Sequence, residues 1–164
     1  MKIAFIAFLF AATAFAQKTP AALPAACGPE NINFDVKLDK SQHTLDTPEA
    51  GKARVYFLED SATVRIGLDG AWVGANRGHS YFSVSVGPGE HHLCVKAATL
   101  DHPIELVHFT AEAGEVYFFR GRVLPATDGM YLLFGQSDSD EAKSLIGSYA
   151  RSVSTQRKQE AREN

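Results

Sequence analysis

The sequence predicts a mainly β protein, an antiparallel β-sandwich with one C-terminal α-helix. Three observations favour this class: apolar and polar residues alternate in short runs, turn signals separate the runs, and helical spacing begins only near the end. Alternation with a period of two turns one face of each strand toward a core. We therefore expect a single β-rich domain of about seven or eight strands.

Residues 1–16 have the pattern of a secretory signal peptide. Lys2 precedes an apolar run from Ile3 to Phe10, and Ala14-Phe15-Ala16 resembles a cleavage site. Cleavage between Ala16 and Gln17 would release the chain into the periplasm or the exterior. The alternative, an uncleaved anchor, is disfavoured because the run is shorter than the roughly 20 residues that a spanning helix needs.

The charge of the chain argues against two classes of partner. The formal net charge is −3, and loss of the leader would remove one positive charge, that of Lys2. A weakly negative domain does not attract nucleic acid or an anionic membrane surface.

Residues 17–26 are rich in proline and alanine, which indicates an extended linker before Cys27. A lipoprotein signal would place a lipidated cysteine directly after the apolar region. Pro24-Ala25-Ala26 precedes Cys27 and fits such a signal poorly. Anchoring through Cys27 therefore stays an alternative to soluble export.

Strands are predicted on both sides of a polar loop in the first third of the chain. Asn31 to Asp39 alternates apolar and polar residues, and Ala53 to Glu59 is the next strand. Lys40 to Lys52, with Pro48 and Gly51, is the loop between them.

The stretch from Val64 to Ala98 predicts four consecutive strands joined by tight turns. Asp69-Gly70 favours a type I′ turn, and Arg77-Gly78 and Pro88-Gly89 mark the next two. We expect these strands to pair as one meander. The expected cross-strand pairs are Leu68–Ala71, Gly67–Trp72, Ile66–Val73, Val73–Phe82, Val84–Leu93 and Phe82–Val95.

Alternation divides this meander into two faces. The expected core face consists of Val64, Ile66, Leu68, Val73, Phe82, Val84, Leu93 and Val95. The opposite face is polar or small and carries Arg65, Gly67, Trp72, Gly74, Tyr81, Ser83, Ser85, His92 and Cys94.

Three further strands are predicted before the period changes. They cover Ile104 to Ala111, Glu115 to Leu124 and Met130 to Gln136. The second is apolar on both faces near its start, so we expect it to lie centrally in a sheet.

A helix is predicted from Ser139 to Thr155. Asp138 and Glu141 fit a capping pattern. Apolar residues then recur at helical spacing, at Ala142, Leu145, Ile146, Tyr149 and Val153. The domain would thus span 27–155, and the charged residues 156–164 would form a disordered tail.

The central stretch also resembles a known family. Its motifs are Leu68-Asp69-Gly70, Val73-Gly74, Tyr81-Phe82 and the run from Val86 to His91, which reads Val-Gly-Pro-Gly-Glu-His. These resemble PEGA-like domains, in particular a family of uncharacterised exported bacterial envelope proteins. The resemblance covers Val64 to Val95 and implies a β-sandwich in the cell envelope with no known activity, so it assigns no catalytic residues.

The two cysteines predict a disulfide between Cys27 and Cys94. Export would place them in an oxidising compartment, and two cysteines allow only one intramolecular pairing. Cys94 lies on the face with small side chains, which another segment could approach closely. A buried free thiol at Cys94 and a bond between two chains are the alternatives.

Neither a metal site nor a catalytic site is predicted. His91 and His92 are adjacent on a strand and face opposite sides, and His92 with Cys94 lacks a third ligand. The sequence has no nucleophile elbow, metalloprotease motif or phosphate-binding loop. We expect no cofactor.

Trp72, Tyr81 and Arg65 are the candidate ligand-binding residues. On one sheet face they could form a platform that stacks on a sugar ring or clamps a peptide. The structural alternative, which we favour, is that Trp72 covers Gly67 on the neighbouring strand.

Together these features predict an exported, non-enzymatic module that binds or scaffolds in the bacterial envelope. Its expected partner is an envelope protein or polysaccharide. A secreted enzyme without a recognisable motif is the alternative, and convergence of titratable residues in a concave pocket would favour it.

Overall fold

The computed structural model describes residues 24–41, 44–98, 104–127 and 129–158. The expected leader, the cleavage site at Ala16 and Gln17, most of the linker and residues 159–164 lie outside these ranges. The described residues form ten strands and one helix, more strands than the alternation predicts. The elements are β1 (Ile32–Asp39), β2 (Ala53–Glu59), β3 (Thr63–Leu68), β4 (Ala71–Arg77), β5 (Ser80–Val86), β6 (Gly89–Ala97), β7 (Glu105–Ala111), β8 (Val116–Ala126), β9 (Gly129–Gln136), α1 (Ser139–Ile146) and β10 (Ala150–Lys158).

The strands form two packed sheets, which confirms the predicted mainly β sandwich with one helix near the C-terminus. Sheet A has the order β1-β10-β5-β2-β8-β9, and sheet B has the order β4-β3-β6-β7. Sheet B is antiparallel, whereas sheet A is mixed because β10 runs parallel to β5 and β2 runs parallel to β8. The apolar strand β8 lies inside sheet A, between β2 and β9.

The core lies between the two sheets and contains the whole predicted core face. Five of those residues are buried, namely Val64, Ile66, Phe82, Leu93 and Val95. Leu68, Val73 and Val84 are partly buried and pack against them. Fully buried aromatic rings from β2 and β8, Phe57 and Phe119, complete the centre.

The predicted meander is wrong as a pairing scheme. Of the four strands in the predicted meander, only β3 and β4 pair as neighbours in sequence. Strand β5 pairs with β2, so Phe82 lies opposite Phe57 and not Val73. Strand β6 pairs with β3 and β7, which places Leu93 opposite Leu68 and Val107. The chain therefore changes sheets after β4 and again after β5.

The turns explain this difference. Asp69 and Gly70 both have positive φ, of 50° and 86°, as the predicted type I′ turn requires. Positive φ at Gly78 and His79 instead accompanies the passage of the chain to the other sheet. Alternation specifies the face that a residue occupies, but it does not specify the neighbouring strand.

A β-bulge within the β3–β4 hairpin makes the observed register differ from the predicted one. Gly67 pairs with Trp72 as predicted, but the bulge makes Ile66 pair with Gly74 and not Val73. Gly74 consequently leaves the predicted polar face. A Cβ at Gly74 would lie 2.7 Å from the ring of Phe82, so the core requires glycine there.

The predicted helix ends nine residues early, at Ile146. Ala142 and Ile146 are buried on sheet A as predicted, but residues 150–158 form β10, which pairs with β1 and β5. Val153, expected in the buried helical stripe, is 50% exposed on β10. The alternation of small serines with Val153 and Thr155 suits a strand, and residues 156–158 of the predicted disordered tail pair with β1.

Strands β1 and β10 close one side of the sandwich. Ser152 on β10 donates a hydrogen bond to the carbonyl oxygen of Ala75 on β4, at 2.5 Å. The hydroxyl of Ser154 accepts one from the Ala75 N–H at 3.3 Å. These side chains satisfy the backbone of an edge strand that, among the described strands, has no strand partner on that side.

No helix among the described residues combines the length and the apolar character needed to cross a membrane.

Candidate functional site

The N-terminal arm, residues 24–31, crosses the outer face of sheet B. The predicted disulfide between Cys27 and Cys94 is confirmed and holds the arm there, with 5.1 Å between the two Cα atoms. Both cysteines are buried, together with Ile32 and Trp72. A buried disulfide fits a protein that works outside the cytoplasm.

Small residues let the arm approach the sheet closely. A Cβ at Gly28 would lie 2.3 Å from the Trp72 ring, and one at Gly67 would lie 3.0 Å from the carbonyl oxygen of Ala26. That carbonyl accepts a hydrogen bond from the Gly70 N–H at 3.1 Å. The last residue of the predicted linker is therefore part of the packed structure.

Trp72 and Arg65 lie together beneath this arm. The indole Nε1 donates to the carbonyl oxygen of Pro29 at 2.7 Å, and Trp72 is only 7% exposed. The guanidinium carbon of Arg65 lies 4.3 Å from the centre of the indole ring. Its Nη1 donates to the carbonyl oxygens of Ile32 and Glu30.

Tyr81 is on the other side of the molecule. It is 4% exposed on the outer face of sheet A, in a cluster with Tyr56, Leu58 and Phe118 that α1 covers. The structure thus brings together two of the three candidate residues and separates the third. Trp72 pairs with Gly67 and packs against the arm, in keeping with the structural interpretation, and it offers no exposed platform.

A groove on sheet B lies beside this cluster. Its cavity volume is about 240 Å³. Strand β1 forms one wall with Asn33, Phe34 and Val36. The remaining lining residues come from β3, β4 and the end of β6: Thr63, Val64, Arg65, Ala75, Lys96, Ala97 and Ala98.

Two cations give the groove its chemical character. Arg65 and Lys96 are paired on adjacent strands. The Lys96 Nζ lies 3.9 Å from the Glu30 carboxylate, and the Lys96 side chain is 29% exposed. Burial lowers the pKa of Arg65, while the charge of Glu30 opposes this shift, and an arginine stays charged at any physiological pH.

The histidines that the structure describes do not converge. The Nδ1 of His91 lies 2.6 Å from Asp69, and its Nε2 lies 2.8 Å from the carbonyl oxygen of Gly87. Burial lowers the pKa of His91, but the hydrogen bonds to Asp69 and Gly87 and the charge of Asp69 together raise it more. His92 and His108 face each other with ring centres 6.4 Å apart, and His79 contacts Tyr149. No group of three metal-ligating side chains occurs among the described residues.

A buried carboxylate was not among the sequence-predicted sites. Glu59 is fully buried at the end of β2. Its Oε1 accepts hydrogen bonds from the N–H groups of Ser61 and Ala62, at 3.1 and 2.8 Å. Its Oε2 has no partner among the described residues and lies against Gly121. The alternation in β2 could have identified Glu59 as buried, because it follows the inward-facing residues Val55 and Phe57 at the same spacing.

Comparisons of the chain with known protein families, curated proteins and solved structures found no match.

Proposed function

We propose that this protein is an exported, non-enzymatic module that binds an acidic polysaccharide of the bacterial envelope. The observation that carries the proposal is the groove in which Arg65 and Lys96 lie beside the apolar wall of Phe34 and Val36. A sugar ring presents apolar faces and hydroxyl groups, and a uronic acid adds a carboxylate. The apolar wall of the groove would contact the faces of the sugar ring, and the two cations would bind its hydroxyl and carboxylate groups.

The position of the cations supports an anionic ligand. Arg65 is held rigidly, since its guanidinium stacks on Trp72 and bonds to two backbone carbonyls. Lys96 is 29% exposed and makes a long contact with Glu30. A ligand carboxylate could replace Glu30 beside Lys96, so binding would exchange one ion pair for another at little cost of desolvation.

The leader and the disulfide support export. Residues 1–16 carry the signal pattern, and a disulfide persists in oxidising compartments such as the periplasm. The resemblance of Val64 to Val95 to PEGA-like domains agrees with an envelope location. A non-enzymatic role is supported by the groove itself, whose described lining residues include no histidine, carboxylate, cysteine or serine.

The test is calorimetric titration of the purified protein with an oligosaccharide of uronic acids. We expect binding that weakens as salt rises, and no binding of a neutral oligosaccharide of equal length. Lys96→Met should weaken binding about fivefold, from the loss of about 1 kcal/mol of ion pairing. Glu30→Gln should strengthen it, because the competing carboxylate is gone.

Lys52→Met is the matched control. Lys52 also pairs with a glutamate, Glu49, at 2.6 Å, and its side chain is 49% exposed outside the groove. Equal effects of the two lysine substitutions would contradict the groove as the binding site. Preference for an acidic peptide over the oligosaccharide would contradict the polysaccharide as the ligand.

A further inference from the structure

The edge strand β9 differs from the other three edges of the sandwich. Strand β1 carries Asp35, Lys37 and Asp39, and β7 carries Glu105. Strand β4 is covered by Ser152 and Ser154 of β10, as described above. Strand β9 has the sequence GMYLLFGQ, without a charge or a proline.

The strand β9 also carries a cluster of exposed apolar side chains. Met130, Tyr131 and Leu133 are 45%, 36% and 41% exposed, and they lie within four consecutive residues. Leu132 and Phe134 face the core, so Tyr131 and Leu133 project from the outer face of sheet A. Within the described residues, β9 pairs with β8 alone, and the backbone groups on its other side have no strand partner.

Such an edge is a template for another strand. Native proteins usually protect an exposed edge with charges, proline, a bulge or a covering segment. The other three edges carry a charge or a covering segment, whereas β9 is neutral and apolar from Met130 to Phe134. A strand of this type is stable in solution when a partner strand covers it.

We propose that β9 is a homodimer interface, in which the β9 strands of two copies pair antiparallel about a two-fold axis. The result is a continuous sheet across the two molecules. The partner is a second copy because the edge is self-complementary: it carries no charge that would be repelled by its own image. The same patch on both subunits is what a two-fold interface requires.

The faces of the strand restrict the register. Residues directly opposite each other lie on one face of a sheet, so an inward residue must oppose an inward residue. A pairing centred on Leu132 places Tyr131 of each copy opposite Leu133 of the other. A pairing centred on Leu133 would place Tyr131 opposite Gly135 and leave the tyrosine ring without a large neighbour. The geometry therefore favours the axis at Leu132.

The experiment is sedimentation of the purified protein over a concentration series, with variants designed for this register. We expect a reversible dimer, and Leu133→Lys should raise its dissociation constant at least about tenfold, because each introduced lysine would face an apolar Tyr131. The double variant Tyr131→Glu/Leu133→Lys should recover most of the affinity, since the introduced lysine of each copy would then oppose the introduced glutamate of the other. Circular dichroism checks that each variant is folded.

Val153→Lys is the matched control. Val153 is 50% exposed on β10 of the same sheet, far from β9 in the strand order, so its substitution should leave the dimer intact. A wild-type protein that stays monomeric at all concentrations would overturn the proposal. So would equal effects of Val153→Lys and Leu133→Lys. Failure of the double variant to recover would overturn the register at Leu132.

Discussion

The buried carboxylate of Glu59 lowers the stability of the folded state. Its carboxylate is fully buried, and Oε2 has no hydrogen-bond partner among the described residues. Burial raises the pKa of Glu59, the N–H groups of Ala62 and Ser61 lower it, and the net direction is upward. The folded state therefore favours the protonated acid.

This shift has a defined sign for stability. Between the ordinary pKa of a glutamate and the raised pKa of Glu59, the folded state binds more protons than the unfolded state. The free energy of unfolding should then fall as pH rises through that window. Glu59→Gln should remove this dependence and raise the free energy of unfolding at alkaline pH by about 1–3 kcal/mol.

Urea denaturation at a series of pH values measures the effect. The two proteins should approach each other in stability at acidic pH, where Glu59 is neutral in both states. A variant that is less stable than the wild type at alkaline pH would contradict the argument.

At the scale of elements, the disulfide holds the N-terminal arm on sheet B. The bond between Cys27 and Cys94 joins residues 67 positions apart. Closure of a loop of this length stabilises a fold by about 4 kcal/mol through the entropy of the unfolded chain. Cys27→Ala/Cys94→Ala should lower the unfolding free energy by about that amount.

The arm also has a spectroscopic reporter, because Trp72 is the only tryptophan in the chain. Its indole is covered by Gly28 and bonded to Pro29. Reduction of the folded protein should therefore loosen the arm and shift the fluorescence of Trp72 to the red. The alanine double variant is the control and should not respond to the reducing agent. An unchanged spectrum upon reduction would mean that the arm stays in place without the bond.

Ser152 and Ser154 on β10 each use a hydroxyl group to hydrogen-bond the backbone of the edge strand β4. Ser152→Ala would leave the carbonyl oxygen of Ala75 without its donor in a buried site. We expect a loss of about 1–3 kcal/mol, which is the usual cost of an unpaired buried polar group. Thermal unfolding measures it, with Thr155→Ala on the exposed face of β10 as the control. Equal losses from both substitutions would contradict the role of the hydroxyl.

At the scale of the whole molecule, Asp60 links three parts of the chain. Arg120 on β8 donates two hydrogen bonds to Asp60, at 2.9 and 2.6 Å, and Tyr149 donates one at 2.8 Å. Arg120 also contacts Glu141 on α1 at 2.5 Å. Burial raises the pKa of Asp60, but the hydrogen bonds from Arg120 and Tyr149 and the charges of Arg120 and Arg122 together lower it more.

Asp60→Asn should therefore destabilise the fold by about 2–3 kcal/mol at neutral pH, since Arg120 would lose its charged partner. The lowered pKa of Asp60 means that its stabilisation is present above the ordinary aspartate range and is lost as pH falls. The wild type should lose stability in acid more steeply than the variant. Parallel acid denaturation curves for the two proteins would contradict this linkage.

The sequence by itself determined the class of fold, the core face of the strands and the one intramolecular disulfide that two cysteines allow. Alternation specifies the faces because burial of apolar side chains is a local choice between two sides of a strand, and two cysteines allow one pairing. The predicted core face was confirmed for this reason, with Leu68, Val73 and Val84 at its margin.

Tertiary structure decided which strands are neighbours and what the polar residues do. Sheet changes after β4 and β5, the parallel contact of β10 with β5, and the early end of α1 all depend on packing between distant segments. The same is true of the candidate site: Tyr81 was separated from Trp72 because β5 left sheet B, and Arg65 and Lys96 gained a groove because β1 came to lie beside them. Such pairings are selected by the fit of whole sheets, which no local pattern records.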